Sequence, residues 1–200
     1  MAEASAPVPP AVAARTVDGM LVETFALVGL VAVTPRKIGD ARGFFSETWS
    51  RRRYAGVGID VDFVQDNHSH SAPAGTIRGL HFQVPHHAQG KLVRVVRGAV
   101  LDVAVDLRSG SPTYGRHIAL ELSADNWRQL YVPPGFAHGF CTLAPDAEVV
   151  YRVTDGYAPE ADRGRAFSRL FSASLTRAGS VSIKCRYTCD NMIEFFSCAR

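Results

Sequence analysis

The segment 63–98 concentrates ionisable and amide side chains between short apolar runs. Strands that serve only a hydrophobic core do not need so many polar groups in so short a stretch. Where a strand alternates, one face of such residues can line a pocket while the other face packs against the core. We therefore interpret this segment as half of an active site, and its polar residues are Asp66, Asn67, His68, His70, Arg78, His81, His86, His87, Lys91 and Arg94.

His81 is the strongest candidate for proton transfer. On a strand, its apolar neighbours Leu80 and Phe82 point to the opposite face, which leaves His81 on the same face as Gly79 and Gln83. An arginine three residues earlier adds a cation nearby in the sequence. An imidazole in such a pocket can act as a general base near neutral pH. Five other histidines are predicted to be ordinary core or surface residues: His68, His70, His86, His87 and His117.

Lys91 and Arg94 follow on the next predicted strand. The neighbouring runs VRVV and VLDVAV favour a strand that is buried on both sides, whereas the alternative interpretation is a solvated face. A buried Lys91 could supply positive charge to a developing oxyanion. Tyr151, on a later strand-like segment, is a candidate proton donor.

The run PPGFAHG at 133–139 delivers a histidine to the start of a strand. Its prolines and glycine make a tight turn, and His138 follows the turn. Metal-binding cupins carry a ligand at such a turn, but they also need a His-x-His pair and a downstream Glu on neighbouring strands. His68 and His70 form such a pair in a turn-like segment, NHSHSAPAG, and no Glu follows at the required place. We therefore predict that the protein binds no metal.

The elements that must position these residues are short strands. Runs rich in Val, Leu and Thr recur at roughly ten-residue spacing, with turn residues between them. This pattern favours an all-β sandwich or jelly roll over alternating βαβ units. The helix that we expect is short and lies within residues 47–54.

The chain divides into three predicted segments. Residues 1–19 begin Ala- and Pro-rich and are predicted to be a disordered leader. Residues 20–164 contain the strand-like runs and form the predicted domain. Residues 165–200 are rich in Ser, Arg and Cys, lack proline and show no clean periodicity, so we interpret them as an atypical tail.

Composition limits the class of protein. Two hundred residues, 46% of them hydrophobic and 20% charged, suit one globular domain. The net charge of +3 comes from residues 163–200, where seven Lys or Arg accompany two acidic residues; the rest of the chain carries −2, which argues against nucleic-acid binding. No apolar run approaches the roughly 20 residues that span a bilayer, and no signal peptide is expected. Four clustered cysteines do not form a disulfide framework, which favours the cytoplasm.

Six segments carry a family resemblance: GDARGFFSETW, FVQDNHS, IRGLHFQ, AQGKLVRVVRGAVLDVAVDLRSGSPTYG, LSADNWRQLYVPPGFAHGF and VYRVTDGYAPE. In this order, from about Met20 to Gly164, they closely resemble the dTDP-4-dehydrorhamnose 3,5-epimerase family. The resemblance implies a double-stranded β-helix (a cupin-type jelly roll) with little helix, a homodimer, and no metal or organic cofactor. It also implies the conversion of dTDP-4-dehydro-6-deoxy-D-glucose to dTDP-4-dehydro-L-rhamnose, an isomerisation in dTDP-L-rhamnose biosynthesis.

The resemblance also implies roles for the polar residues. The C4 ketone of the sugar acidifies the protons on C3 and C5. His81 is implied as the base, Tyr151 as the acid on the opposite side, and Lys91 as the group that stabilises the enolate. Tyr157 matches an aromatic residue that stacks on the nucleobase. The other positions implied to contact substrate are Arg42, Glu47, Gln65, Asp66, Asn67, Arg78, His138 and Asp162.

The sequence departs from the family after Gly164. Family members carry a Trp and an Asp-Pro, then a Trp-Pro and a Leu-Ser-x-Lys-Asp, and none of these is present. The missing Asp normally hydrogen-bonds the catalytic His, so we predict a weakened base and a poorly active enzyme. Two other interpretations stay open: an epimerase that acts at C3 or C5 only, and a weakly active or inactive cupin that binds a sugar nucleotide.

Overall fold

The structure is a computed structural model that describes residues 11–164 and two strands of the tail. This described part contains sixteen β-strands and one five-residue helix, α1 (Arg51–Ala55). The strands are β1 (Ala13–Val17), β2 (Met20–Thr24), β3 (Val31–Thr34), β4 (Ile38–Asp40), β5 (Gly43–Phe45), β6 (Gln65–Ser71), β7 (Ile77–Gln83), β8 (Lys91–Arg97), β9 (Ala99–Asp106), β10 (His117–Ser123), β11 (Gln129–Val132), β12 (Phe136–Thr142), β13 (Ala147–Val153), β14 (Asp162–Gly164), β15 (Phe171–Leu175) and β16 (Val181–Cys185).

Two antiparallel sheets form the body of the protein. The first has seven strands in the order β1-β2-β3-β11-β8-β13-β6, and the second has five in the order β10-β9-β12-β7-β14. The hairpin β4–β5 and the pair β15–β16 are separate two-stranded sheets. The prediction of an all-β jelly roll with little helix is confirmed.

The main hydrophobic core lies between the two sheets. On β10, Ile118, Leu120 and Leu122 are buried while the two residues between them are exposed, as alternation in a half-buried strand requires. These side chains belong to one cluster with Val93 and Leu130 of the seven-stranded sheet. Burial of each Leu or Ile side chain contributes about 1.5–3 kcal/mol to stability, so this layer holds the two sheets together.

The other face of the seven-stranded sheet is covered by α1 and its flanking segments. Tyr54 on α1 is fully buried against apolar residues of β2 and β3. Its hydroxyl lies 2.9 Å from the carbonyl oxygen of Thr48 and 3.1 Å from the side-chain oxygen of Gln129. The short helix predicted within residues 47–54 is present, displaced toward the C-terminal end of that range.

The N-terminal strand corrects one prediction. β1 pairs with β2 through a two-residue turn at Asp18 and Gly19, whose φ angles are 49° and 76°. An Asp-Gly turn with positive φ at both residues matches the twist of a β-hairpin. The disordered leader predicted over residues 1–19 is therefore wrong over residues 13–17. The Ala-rich composition concealed a strand with mostly exposed side chains, which the backbone ladder holds in place.

Residues 1–10 of the predicted leader lie outside the described residues. Most of the predicted atypical tail does so too, and within it the structure describes only the antiparallel pairing of β15 with β16. No helix among the described residues is long and apolar enough to cross a membrane.

Candidate active site

A cavity of about 540 Å³ opens between the two sheets. Its walls come from β6, β8 and β13 of the seven-stranded sheet and from β7, β12 and β14 of the five-stranded sheet. Nine of the twelve residues predicted to be catalytic or substrate-binding line it: Gln65, Asn67, Arg78, His81, Lys91, His138, Tyr151, Tyr157 and Asp162.

Strand β7 delivers both Arg78 and His81 to this cavity. Strict alternation would put residues three positions apart on opposite faces. However, His138 pairs with His81 and Phe140 pairs with Arg78, so three steps on β7 match two on β12, which is a β-bulge. The two backbones approach closely here, since a Cβ added at Gly139 would lie 2.5 Å from the carbonyl oxygen of Arg78. The alternation argument for His81 did not anticipate this bulge.

His81 lies at the rim of the cavity, with its side chain 57% exposed. Its Nδ1 atom is 3.9 Å from Oδ1 of Asp162 on the neighbouring strand β14. Its backbone carbonyl accepts a 3.5 Å hydrogen bond from Nζ of Lys91. An accessible imidazole in a cavity can take a proton from a molecule bound beside it.

Lys91 lies on the inner face of β8 and is buried. Burial lowers the pKa of its ammonium group to about 8, and the negative charges of Asp162 and Asp102 oppose that change. At pH 7 the group therefore keeps its proton. Because it is removed from water, its charge is weakly screened and can stabilise an oxyanion strongly.

Tyr151 reaches the cavity from β13, where it lies opposite Asn67 on β6 and Val93 on β8. Burial raises the pKa of its phenol, and the nearby Arg78 opposes the shift. The phenol therefore keeps its proton near neutral pH and can act as an acid. Since β13 and β7 belong to different sheets, the phenol and the imidazole of His81 enter the cavity from opposite walls.

Comparison with known proteins identifies the family. Residues 24–169 match the family model of dTDP-4-dehydrorhamnose 3,5-epimerase. The chain belongs to this family. The dTDP-4-dehydrorhamnose 3,5-epimerase of Sinorhizobium fredii is 52% identical over 147 residues, which are 74% of this chain and 75% of the relative.

Two solved epimerase structures superpose on the chain. The Bacillus anthracis epimerase with TDP and PPi bound has a TM-score of 0.72 and 49% identity, over 74% of this chain and 85% of that one. The Legionella pneumophila dTDP-6-deoxy-D-glucose-3,5-epimerase in complex with dTDP-4-keto-L-rhamnose has a TM-score of 0.70 and 44% identity, over 74% and 78% of the two chains.

In this member of the epimerase family, Asp102 positions His138, and sequence reasoning missed it. Nε2 of His138 lies 2.9 Å from both carboxylate oxygens of Asp102, which is fully buried on β9. The available signal was an Asp inside the apolar run VLDVAV. A buried carboxylate requires a hydrogen-bonding partner, so its presence there indicates a buried pair.

Two glutamines that were not predicted as site residues also line the cavity. Gln83 accepts a 2.8 Å hydrogen bond from the backbone N–H of Ala158, and Gln89 donates a 2.7 Å hydrogen bond to the backbone carbonyl of Asp155. Both bonds fasten the loop that carries Tyr157. The glutamines therefore hold the wall at which a nucleobase is predicted to stack.

Three predicted substrate contacts do not line this cavity. Arg42 lies on the β4–β5 hairpin, and its side chain is 90% exposed. Glu47 accepts a 3.0 Å hydrogen bond from Arg53. Asp66 accepts a 2.9 Å hydrogen bond from Arg152 and borders a separate cavity of about 290 Å³. Within one copy of the chain, these groups serve other contacts.

The His-x-His pair considered for metal binding is engaged elsewhere. His68 and His70 lie on β6, 3.0 Å from a carboxylate oxygen of Glu148 and 3.2 Å from one of Asp146, respectively. His138 lies in the other sheet. Among the described residues, no group of three or more His, Cys, Asp or Glu is placed to hold a metal ion.

Proposed function

We propose that this protein is an isomerase that epimerises C3 and C5 of dTDP-4-dehydro-6-deoxy-D-glucose, giving dTDP-4-dehydro-L-rhamnose in dTDP-L-rhamnose biosynthesis. The observation that carries the proposal is one cavity holding an accessible imidazole, a protonated phenol and a buried ammonium group. The names of the relatives and the dTDP-4-keto-L-rhamnose in the Legionella structure support the choice of substrate.

The proposed reaction transfers protons and no electrons to or from a cofactor. His81 removes the proton from the carbon beside the C4 ketone, and the electrons of that C–H bond form an enolate with its charge on O4. Lys91 stabilises this charge. Tyr151 then gives its proton to the same carbon from the opposite face, which inverts the centre, and both groups re-equilibrate with solvent before the second centre reacts.

The ketone of the substrate itself acidifies both protons, so the reaction requires neither a metal nor an organic cofactor. The remaining predicted contacts hold the sugar nucleotide in place. Tyr157, whose side chain is largely exposed at the mouth of the cavity, is placed to stack on the nucleobase. The further cavity residues proposed to contact substrate are Gln65, Asn67, Arg78, His138 and Asp162.

We further propose that the protein acts as a homodimer in which the β4–β5 hairpin enters the cavity of the second copy. Phe44 and Phe45 on this hairpin are 55% and 69% exposed, which is typical of apolar groups that pack against a partner. Such an arrangement would bring Arg42 and Glu47 to the substrate, although neither lines the cavity of its own chain. The cytoplasmic location stays a prediction.

Mixing two inactive variants tests the dimer. In a dimer of one His81→Asn chain and one Arg42→Ala chain, one site receives both an intact His81 and an intact Arg42 if the hairpin is exchanged. We therefore expect the refolded mixture to be more active than either variant alone. A mixture no more active than the average of the two would show that Arg42 acts within its own chain or not at all.

Deuterium wash-in tests the reaction. Incubation with dTDP-4-dehydro-6-deoxy-D-glucose in D₂O should place deuterium at C3 and C5, and His81→Asn should reduce the rate by roughly 10²–10⁴-fold. His86→Asn is the matched control, because His86 is not a cavity residue and its positive φ of 79° suits Asn. Exchange at one carbon would identify the single-site epimerase. Binding of dTDP without exchange would identify a sugar-nucleotide-binding cupin.

A further inference from the structure

Strand β14 places a carboxylate beside the proposed catalytic base. β14 pairs with β7 so that Gly164 lies opposite His81 and Asp162 lies opposite Gln83. Residues two positions apart on a strand share a face, so Asp162 and His81 are diagonal neighbours on one side of the sheet.

The residue directly opposite His81 leaves room for its ring. A Cβ added at Gly164 would lie 2.8 Å from Nδ1 and 3.1 Å from Cε1 of His81. The imidazole therefore lies against the backbone of β14. Any larger residue at position 164 would displace it, whereas glycine lets the Nδ1 edge turn toward Asp162.

The carboxylate of Asp162 is itself held from more than one side. Oδ1 is 3.9 Å from Nδ1 of His81, and Oδ2 accepts a 3.4 Å hydrogen bond from the hydroxyl of Tyr157. The charge of Asp162 also favours the protonated form of Lys91. The side chain is 29% exposed, so a ligand in the cavity would shield it further.

We propose that Asp162 is the positioning carboxylate of His81: it accepts a hydrogen bond from the Nδ1–H group and so leaves the lone pair of Nε2 to abstract the substrate proton. This inference rests on the epimerase reaction proposed above. The present separation exceeds a hydrogen bond by about 1 Å, and the exposed imidazole can close it by rotation when a ligand fills the cavity. A carboxylate on one ring nitrogen fixes the tautomer and raises the basicity of the other.

Several titratable and charged groups surround the ring of His81. Each element that borders the cavity near the ring contributes one of these groups or more. Of the six described residues named next, Asp162 is the one with a negative charge. The six groups are Arg78 on the same strand, Lys91 on β8, His138 on β12, Tyr151 on β13, Tyr157 in the loop between β13 and β14, and Asp162 on β14.

Asp162→Asn separates positioning from substrate binding. We expect kcat to fall by about 10–100-fold, as for other carboxylates that orient a histidine, and KM to rise by a smaller factor, because the same side chain is proposed to contact substrate. Asp162→Glu keeps a carboxylate at this position and should recover most of the lost kcat. Equal kcat values for the Asn and Glu variants would overturn the proposal, and so would a rise in KM with unchanged kcat.

Nitrogen NMR of the His81 ring gives a readout that does not depend on turnover. With dTDP bound, the wild-type ring should be protonated on Nδ1 and bare on Nε2, and Asp162→Asn should lose that preference. If the tautomer changes as expected but the wild type epimerises nothing, the reaction is wrong and the positioning is right. An active wild type whose tautomer is the same in both proteins would overturn the positioning alone.

Two variants control for a general loss of charge. Asp146→Asn alters another His–Asp pair, in which Oδ1 of Asp146 lies 3.2 Å from Nε2 of His70, and Asp146 is not a cavity residue. We expect its kcat and pH profile to equal those of the wild type. Asp190→Asn tests the one aspartate of the tail. A loss of kcat in Asp190→Asn that matched or exceeded that of Asp162→Asn would assign the positioning role to the tail and overturn the proposal.

Discussion

Two His–Asp pairs border the same cavity, and they differ in burial and in the distance between ring nitrogen and carboxylate. His138 and Asp102 are buried, and Nε2 contacts both carboxylate oxygens at 2.9 Å. His81 and Asp162 lie at the rim, 3.9 Å apart and partly exposed. Burial fixes the first pair, because neither group can exchange its partner for water. The second pair can still move, which suits a base that must meet a substrate.

Lys91 connects the two pairs. Burial lowers the pKa of its ammonium group. The negative charge of Asp162 opposes this change most strongly, and that of Asp102 opposes it less. The ammonium group also donates to the backbone carbonyl of His81. The buried pair, His138 and Asp102, is therefore the fixed pair of the site, and the rim pair, His81 and Asp162, is the movable pair. The ammonium group of Lys91 interacts with both.

The largest contrast should appear in stability. Asp102→Ala leaves the ring of His138 buried without its partner, and loss of one member of a buried pair costs about 3–5 kcal/mol of unfolding free energy. Asp162→Ala should cost less than about 1 kcal/mol, since exposed pairs contribute little. Urea unfolding of both variants measures this difference. Equal losses would mean that the rim pair is as structural as the buried one.

A second test removes the cation between the pairs. The folded-state pKa of Lys91, about 8, is below its usual value of 10.5. The unfolded chain therefore holds this proton more tightly, and wild-type stability should rise as pH increases from about 8 to about 10.5. Below pH 8 the full cost of burying the charge is present.

Lys91→Met should therefore increase the unfolding free energy at pH 7 by about 1–3 kcal/mol, remove its rise with pH, and reduce kcat by about 10²-fold or more. Urea unfolding at pH 7 and pH 10, together with the epimerase assay, measures both effects. A wild-type unfolding free energy that does not rise over this range would contradict the burial argument.

The third test disturbs the strand contact that both histidines share. His81 and His138 are paired across β7 and β12, next to the close approach of Gly139 to Arg78. Gly139→Ala forces a Cβ against backbone atoms and should cost about 1–3 kcal/mol. Gly156→Ala is the control, because a Cβ there meets nothing within 4 Å. If both variants melt at the same temperature, the two strands are not in fixed contact.

The sequence allowed the fold to be predicted where side-chain pattern determines it. Alternation in HIALELS and the apolar run around Lys91 both gave strands with the correct buried faces. The β1 hairpin was missed because its side chains are exposed and its order comes from backbone pairing, although the Asp-Gly turn was a usable signal. Alternation also could not reveal that a bulge turns Arg78 into the cavity beside His81.

The candidate site was predicted less evenly, and the roles of its residues stay predictions. Local pattern selected His81, Lys91 and Tyr151, and the structure brings all three to one cavity. Asp102 was missed because its partner lies 36 positions away in the chain, and only the strand pairing brings them together. The closeness of Asp162 to the base has the same cause, since the pairing of β14 with β7 is long-range.

The smallest expected effect separates the two aspartates by their influence on Lys91. Activity should decline as pH rises through about 8, because the ammonium group that stabilises the enolate loses its proton. Burial raises the pKa of Tyr151, so its phenol does not titrate first. Asp162→Asn removes the larger of the two opposing charges and should move this alkaline limb to lower pH, by less than about one pH unit. Asp102→Asn should move the alkaline limb by a smaller amount.

A kcat profile of the wild type and the two variants between pH 6 and about 10, bounded by these pKa values, measures which variant shifts the limb more. A larger shift of the alkaline limb for Asp102→Asn would mean that the buried pair, rather than the rim pair, controls the charge of Lys91. The distinction between a fixed pair and a movable pair would then be wrong.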